Sequence, residues 1–354
     1  MLGLFVRALS GPSGMNRRAR RTLLVVAGIL VLLALAVFLR SKAPPEAARL
    51  LPESDGIVYV NLRPVRTFFK ANLKPPQRVP EYAQFVEATG IDWERDLDQV
   101  AVALHRMQDP NGPNGPVAYS MVLAGKLTGA KLNRWLEAHA VGRENYVGHT
   151  IFSVPSEGRT VRVAQVGYDM VAVSNYPTTE KIHSILDRHR TAALPFAGSS
   201  LLSQHYRDVP LLSLAWGVGE IGLPFNENGA ISVLGFKLPL QADSTIVASL
   251  SPELSLKGVL RMRVEEFAPT DDTAASQAAS LNALITLARG VTEPLSSSAA
   301  NQGLKELLRS AEVTQSRNRV LLKANVPVSM FTGLAGREDS AVQSEAEPSP
   351  SASK

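Results

Sequence analysis

Residues 22–39, TLLVVAGILVLLALAVFL, are eighteen consecutive positions without a charge. As a helix rising 1.5 Å per residue they reach about 27 Å, close to the ~30 Å hydrocarbon thickness of a bilayer. Arg21 and Arg40 bound the run, and their long side chains can reach the two interfaces. The core helix of a globular domain keeps polar residues on its outer side, whereas these turns carry no charge on any side. A cleaved signal peptide has a shorter apolar stretch, about 7–15 residues, and leaves through small residues. This run leaves through Val37-Phe38-Leu39-Arg40, and its one A-x-A-like exit, Ser41-Lys42-Ala43, meets Pro44 and Pro45. We read it as an uncleaved signal anchor.

Charge gives the orientation. The chain has 37 Lys and Arg against 32 Asp and Glu. Arg7, Arg17, Arg18, Arg20 and Arg21 supply the whole excess of +5, so the chain beyond residue 21 is neutral overall. Nucleic-acid binding needs basic residues gathered on a folded surface, so no nucleic-acid partner is expected. Arginines crowded before the span place 1–21 in the cytoplasm and everything after residue 40 outside. The expected location is the inner membrane, single-pass. Met15-Asn16-Arg17-Arg18 could itself open such an anchor, so a start at Met15 is as compatible with this reading as Met1. Cys is absent, which excludes a disulfide framework, a cysteine nucleophile and a thioether-linked lipid.

Beyond the span, 40–50 reads as a Pro/Ala linker and 337–354, REDSAVQSEAEPSPSASK, as a disordered tail. Between them we expect two α+β halves, 51–194 and 195–336. Strands are expected at 56–61, 99–106, 117–126, 146–154, 160–166, 170–175, 211–217, 231–240, 245–250, 256–264, 312–316 and 320–326. Helices are expected at 81–89, 128–139 and 178–189, near 304–311, and from Thr270 to Arg289 with Gly290 as its C-terminal stop. The helices 128–139 and 178–189 share T-x-x-K-[LI]-x-x-[WI]-L-[ED]-x-H at an offset of 50 residues, with Thr128 and Thr178 as caps. The fold class is therefore α+β. It comprises antiparallel sheets with helices on one face, ferredoxin-like units that could be repeated, and one preceding transmembrane helix.

Chemistry is harder to find. Gly217-Val-Gly-Glu-Ile-Gly222 matches G-x-G-x-x-G, but Leu223-Pro224 follows where a dinucleotide site needs a helix, so no cofactor is expected. His105, His139, His149, His183, His189 and His205 are scattered; His183 and Asp187, at i and i+4, read as a solvated polar pair and not a metal site. Asp92, Glu94, Asp96 and Asp98 alternate, yet Leu97 stands where a calcium loop needs Gly and Ala103 where it needs Glu. Glu220 and Asp271 are available acids that nothing places together. No catalytic or metal residue is nominated.

Leu50-Leu51-Pro52 before GIVYVN, then Tyr146-x-Gly148-x-x-Ile151-Phe152 before Met170–Ser174, then Leu307-Leu308 before a strand pair ending Val326-Pro327, form a loose pattern. In these the chain resembles uncharacterised bacterial signal-anchored proteins with a large extracytoplasmic domain of unknown function. The resemblance implies location and architecture and carries no functional residue. The expected function is a non-catalytic binding or structural module of the cell envelope, partnered by the membrane through 22–39 and by an envelope protein. The alternatives are an envelope hydrolase with an unrecognised active site and a secretion- or pilus-type assembly scaffold.

The topology is testable directly. A reporter active only outside the cytoplasm, fused after Lys354, is expected to be active, and the protein should resist carbonate extraction from membranes. A mature N-terminus at Pro44 would show instead that the span is cleaved.

Overall fold

The computed structural model describes Thr22 and residues 25–33, 43–64, 66, 80–112, 115–127, 129–156, 158–191, 198–220, 230–233, 236–239, 244–253, 258–292, 299–328 and 330. The chain divides into two compact units, 1–43 and 44–354. In the first, residues 25–33 are helical, with Val25, Ile29, Leu30, Val31, Leu32 and Leu33 exposed. Among the described residues no helix is long and apolar enough to cross a membrane. Positions 23, 24 and 34–39 of the apolar run, residues 1–21 and the 337–354 tail lie outside them.

The second unit begins with α1 (Glu46–Arg49), β1 (Gly56–Asn61), α2 (Pro80–Thr89), α3 (Trp93–Asp96), β2 (Leu97–Arg106) and β3 (Val117–Gly125). Next come α4 (Ala130–His139), β4 (Gly142–Tyr146), β5 (His149–Ser156), β6 (Arg159–Val166), β7 (Met170–Ser174), α5 (Glu180–Arg190) and α6 (Ser200–His205) with a 3-10 turn at Tyr206–Asp208. The remaining elements are β8 (Ala215–Glu220), β9 (Ala230–Val233), β10 (Phe236–Pro239), β11 (Thr245–Pro252), β12 (Val259–Phe267), α7 (Asp271–Thr292), α8 (Ala299–Ser310), β13 (Glu312–Ser316) and β14 (Arg319–Pro327).

Twelve of these strands make one sheet in the order β13-β14-β12-β11-β8-β1-β2-β3-β7-β6-β5-β4, while β9 and β10 pair separately. Every pairing is antiparallel. The chain follows a similar path twice. A three-strand meander (β1-β2-β3, then β8-β11-β12) leads into a helical crossover, α4 in one case and α7 with α8 in the other. The strands after each crossover return to lie beside the meander's last strand. The two runs join where β1 pairs with β8, Ile57 opposite Val218 and Tyr59 opposite Trp216.

The helices do not keep to one face, which corrects the sequence expectation. Val122, Ala124, Met170 and Ala172 pack with Ile182, Ile185 and Leu186 of α5 and Leu202 of α6. Leu123 and Val171, their neighbours along the same strands, pack with Leu132 and Leu136 of α4. Alternate residues of a strand point to opposite faces, so α4 and α5 lie on opposite sides of the sheet. Their shared sequence pattern is the pattern of any helix laid on a sheet, and the helices do not form the one-sided pair of a ferredoxin-like unit. Strands such as MVAVS are apolar at nearly every position because both faces are covered. In the second run, α7 and α8 lie on the α4 side, where Ala274 and Ala278 meet Val320, and Leu307 meets Leu260 and Val326.

Local geometry accounts for the other departures. Residues 46–50, within the expected linker, form a helical turn whose Ala47, Ala48 and Leu50 are buried in the main core. The apolar stretch expected as one strand at 146–154 is a hairpin, because Val147 and Gly148 both take positive φ, 43° and 83°. That is the signature of a two-residue type I′ turn. The stretch at 231–240 is likewise divided into β9 and β10. Helix α7 runs through Gly290 to Thr292. Thr179, and not Thr178, holds the N-cap position of α5 and makes no side-chain capping bond, while Gly129 holds that of α4 and Thr128 lies outside the described residues. Gly125 is required at its position: its φ is 155°, and a Cβ there would sit 2.0 Å from the Asp96 carbonyl oxygen.

Val147 is a β-branched residue held at positive φ in an exposed turn. Val147→Asn should relieve that strain and stabilise the fold by about 1 kcal/mol, read as a raised denaturant midpoint.

Candidate functional site

On the α5 side the central strands carry one buried polar line. His105 of β2, Ser120 of β3 and Ser174 of β7 sit side by side there. His105 Nε2 lies 2.9 Å from Ser120 Oγ, which lies 3.0 Å from Ser174 Oγ. The backbone N–H of Tyr176 donates to Ser174 Oγ at 3.2 Å, and the Ser174 hydroxyl lies 3.3 Å from the Tyr119 carbonyl. The Tyr176 ring meets the His105 ring edge-on at 5.5 Å. His105 is 3% exposed, and Ser120 and Ser174 are 0% exposed. Burial, helped by the nearby Lys181 ammonium, lowers the His105 pKa from 6.5 to about 4, so the imidazole is neutral at physiological pH.

A serine hydroxyl against a histidine nitrogen is one element of an activated nucleophile. Chemistry also needs room for an acyl carbon beside the oxygen. Ser120 Oγ is sealed, with His105 and Ser174 as its neighbours. What the ladder does is satisfy buried polar groups while tying β2, β3 and β7 together beneath α5. Glu53 completes the clamp at its rim. Its carboxylate accepts from the Ser200 N–H (2.9 Å), the Ser200 hydroxyl (2.7 Å) and Arg188 Nη2 (2.8 Å), while Lys181 Nζ reaches its carbonyl at 3.3 Å. Burial works against the Glu53 charge, yet these bonds together hold its pKa below the ordinary value.

The structure assigns places to the other residues that the sequence singles out. His183 and Asp187 are not a free solvated pair. The His183 ring stacks on Tyr146 at 3.8 Å, with Nε2 2.7 Å from Glu144 Oε1, and the Tyr146 hydroxyl donates to Asp187 at 2.9 Å. These contacts fasten the β4 edge to α5. His149 and His189 meet edge-on at 6.0 Å, His139 stacks on Trp135 at 4.4 Å, and His205 lies against Phe267. Among the described residues no three metal-ligating side chains come together.

The alternating acids are structural. Asp92 caps α3 by accepting from the Glu94 N–H. Arg95 bonds Asp96 and holds its carboxyl down at about 2. Asp98 is gripped by Arg63 and Arg66. Gly217 and Gly219 lie inside strand β8, where a Cβ on Gly217 would touch the Ile57 carbonyl oxygen at 3.4 Å. The first two glycines of the fingerprint thus belong to a strand, while Ile221 and Gly222 fall outside the described residues. Glu220 ends β8 and Asp271 opens α7.

Ser120 and Glu53 were not singled out in the sequence, and Tyr146 and Ser174 entered only as parts of a loose pattern with no role assigned. The one available signal was a hydroxyl interrupting an apolar strand, as in VAYSMVLAG and MVAVS.

No protein-family model matches the chain, and no curated protein is significantly similar to it. Among solved structures it is similar to TP0453 in crystal forms I, III and IV, at 9%, 8% and 9% identity. The matches cover 83%, 83% and 81% of this chain and 98%, 99% and 95% of the other, with TM-scores of 0.42, 0.42 and 0.41. A likeness at that level does not bear on function.

The buried imidazole gives the fold a defined acid limb. Between pH 6.5 and about 4 the unfolded chain binds the His105 proton and the folded one does not, so stability falls as pH drops through that window and levels below it. The loss from this group is about 3 kcal/mol. His105→Gln should flatten the unfolding free energy over that window, measured by denaturant titration at successive pH values.

Proposed function

We propose that this chain is a membrane-anchored, extracytoplasmic binding or structural module of the cell envelope, held by a single helix over 22–39. It is a relative in kind of the signal-anchored proteins it resembles. The anchor rests on the eighteen uncharged positions between Arg21 and Arg40, with basic residues crowded on the N-terminal side.

The observation that carries the binding role is an open sheet face. On the α5 side, α5 and α6 stop at the central strands, and no described helix continues over β12, β14 and β13. That surface is polar: Arg261, Thr314 and Lys323 are exposed along it. Strands that face solvent on one side need polar residues there, and a broad, rigid array of such residues suits a partner of complementary charge and hydrogen bonding. At its border Arg319 bonds Glu265 (3.2 Å) and reaches Asp208 (3.4 Å), which fixes the 3-10 turn against the sheet. The partner would meet a preformed surface.

Crosslinking and affinity capture from native membranes test this reading. A stoichiometric envelope partner is expected, with recovery reduced several-fold by a paired Thr314→Ala, Lys323→Ala variant of unchanged melting temperature. Turnover of envelope fragments by the purified full chain, with no partner recovered, would replace it with the hydrolase.

A further inference from the structure

The open face of β12, β14 and β13 has its charges sorted by depth. Arg261, Arg263 and Glu265 of β12 share the α5 side with Arg319 and Lys323 of β14, because the register between the strands runs unbroken and alternate residues point the same way. Glu253 bonds Arg261. Glu265 divides its two oxygens between Arg263 Nη2 (2.8 Å) and Arg319 Nη1 (3.2 Å), and Asp208 reaches the same Arg319 nitrogen at 3.4 Å. The side chains of Glu253, Glu265 and Asp208 are 8%, 6% and 13% exposed, while those of Arg261, Arg263 and Arg319 are 58%, 36% and 42% exposed. The carboxylates therefore lie beneath and the guanidiniums above.

That order matters more than the sum of charge. Attraction falls with distance, so a ligand at the surface meets the guanidiniums before the acids under them. Each bond uses one terminal nitrogen and leaves the other terminal nitrogen for a ligand. The buried acids, and the Phe267 ring 4.6 Å from the Arg319 guanidinium, hold the forks in place, so a ligand has little side-chain freedom to remove. Lys323 is exposed among them, directly opposite Arg263. On this side of the three strands the one exposed acid is Glu312, across from Lys323 on β13.

Spacing selects the ligand. Arg263 and Lys323 sit on neighbouring strands about 5 Å apart. Arg261 lies two residues from Arg263, and Arg319 four residues from Lys323 in the other direction, about 7 and 14 Å away along the strands. An extended chain repeats its side chains on one side at the same interval of about 7 Å. Laid along the face, it would set residue i over Arg261, i+2 over the Arg263–Lys323 pair and i+6 over Arg319. Residue i+4 would meet Leu321, which is half-buried between them. Glu312 disfavours the same acidic segment shifted outward onto β13.

We propose that this face binds an extended acidic segment of a partner protein, with carboxylates at i, i+2 and i+6 and an apolar residue at i+4, packed along β12 and β14. The inference rests on the binding reading above and names the chemistry of its partner.

Full-length protein in detergent can be titrated with a labelled peptide of about nine residues, Thr-Glu-Thr-Glu-Thr-Val-Thr-Glu-Thr. It should bind, with an affinity that falls as salt rises. A peptide of the same composition with its last glutamate moved one position, onto the other side of the strand, should bind several-fold more weakly. Lys323→Gln should weaken binding of the first peptide several-fold at an unchanged melting temperature, and Lys323→Arg should retain it. Equal binding of the two peptides, tighter binding of inorganic polyphosphate than of the first peptide, or indifference to Lys323→Gln would overturn the proposal. A partner captured from native membranes that the first peptide fails to displace would also overturn it, while leaving the binding-module reading in place.

Discussion

The pairing of β1 with β8 is the contact on which the architecture depends. It is the only strand pairing that joins the two runs of the chain among the described residues, and without it the sheet would end in two more open edges. Sequence separation makes it costly, because Tyr59 and Trp216 must meet across more than 150 residues of intervening chain. Aromatic burial offsets that cost. The two rings stack at 5.4 Å, Tyr206 closes edge-on against Trp216 at 5.5 Å, and α6 seals the group with Leu202. Burial pushes the Tyr59 hydroxyl up to about 12, so the junction carries no charge over the physiological range.

Once the runs are joined, the coverage of each face follows from where the crossovers lie. α4 covers one end of one face, and α7 with α8 covers the other end of the same face. α5 and α6 cover the middle of the opposite face. Among the described residues no helix covers the α5 side of the second run, where Arg261, Thr314 and Lys323 are exposed. The buried ladder of His105, Ser120 and Ser174 belongs to the covered part, where satisfied polar groups fix strand register more than they offer chemistry.

Much of the fold was legible in the sequence. The strands at 56–61, 160–166 and 312–316 stand close to where alternation and turn residues put them, because those segments combine β-branched residues with clear punctuation. The hairpin at Val147-Gly148 was missed because a valine at positive φ gives no turn signal, although the glycine beside it does. The C-terminal stop at Gly290 failed because packing of Ala288 and Thr292 against the neighbouring helix sustains the turn beyond it. The one-sided helix arrangement failed for a reason visible afterwards: MVAVS lacks the polar alternate positions that a one-sided sheet requires.

The sequence alone determined the neutral charge of the chain beyond residue 21, the absence of thiol chemistry, the uncharged run and its basic flank, and the α+β composition. These are properties of local composition and period. Tertiary structure decided which residues share a neighbourhood. It placed Ser120 between His105 and Ser174, stacked His183 on Tyr146, and gave Glu53 its partners 128 to 147 residues away. Such contacts depend on strand order and on the choice of face, and neither is encoded in the spacing of any one segment.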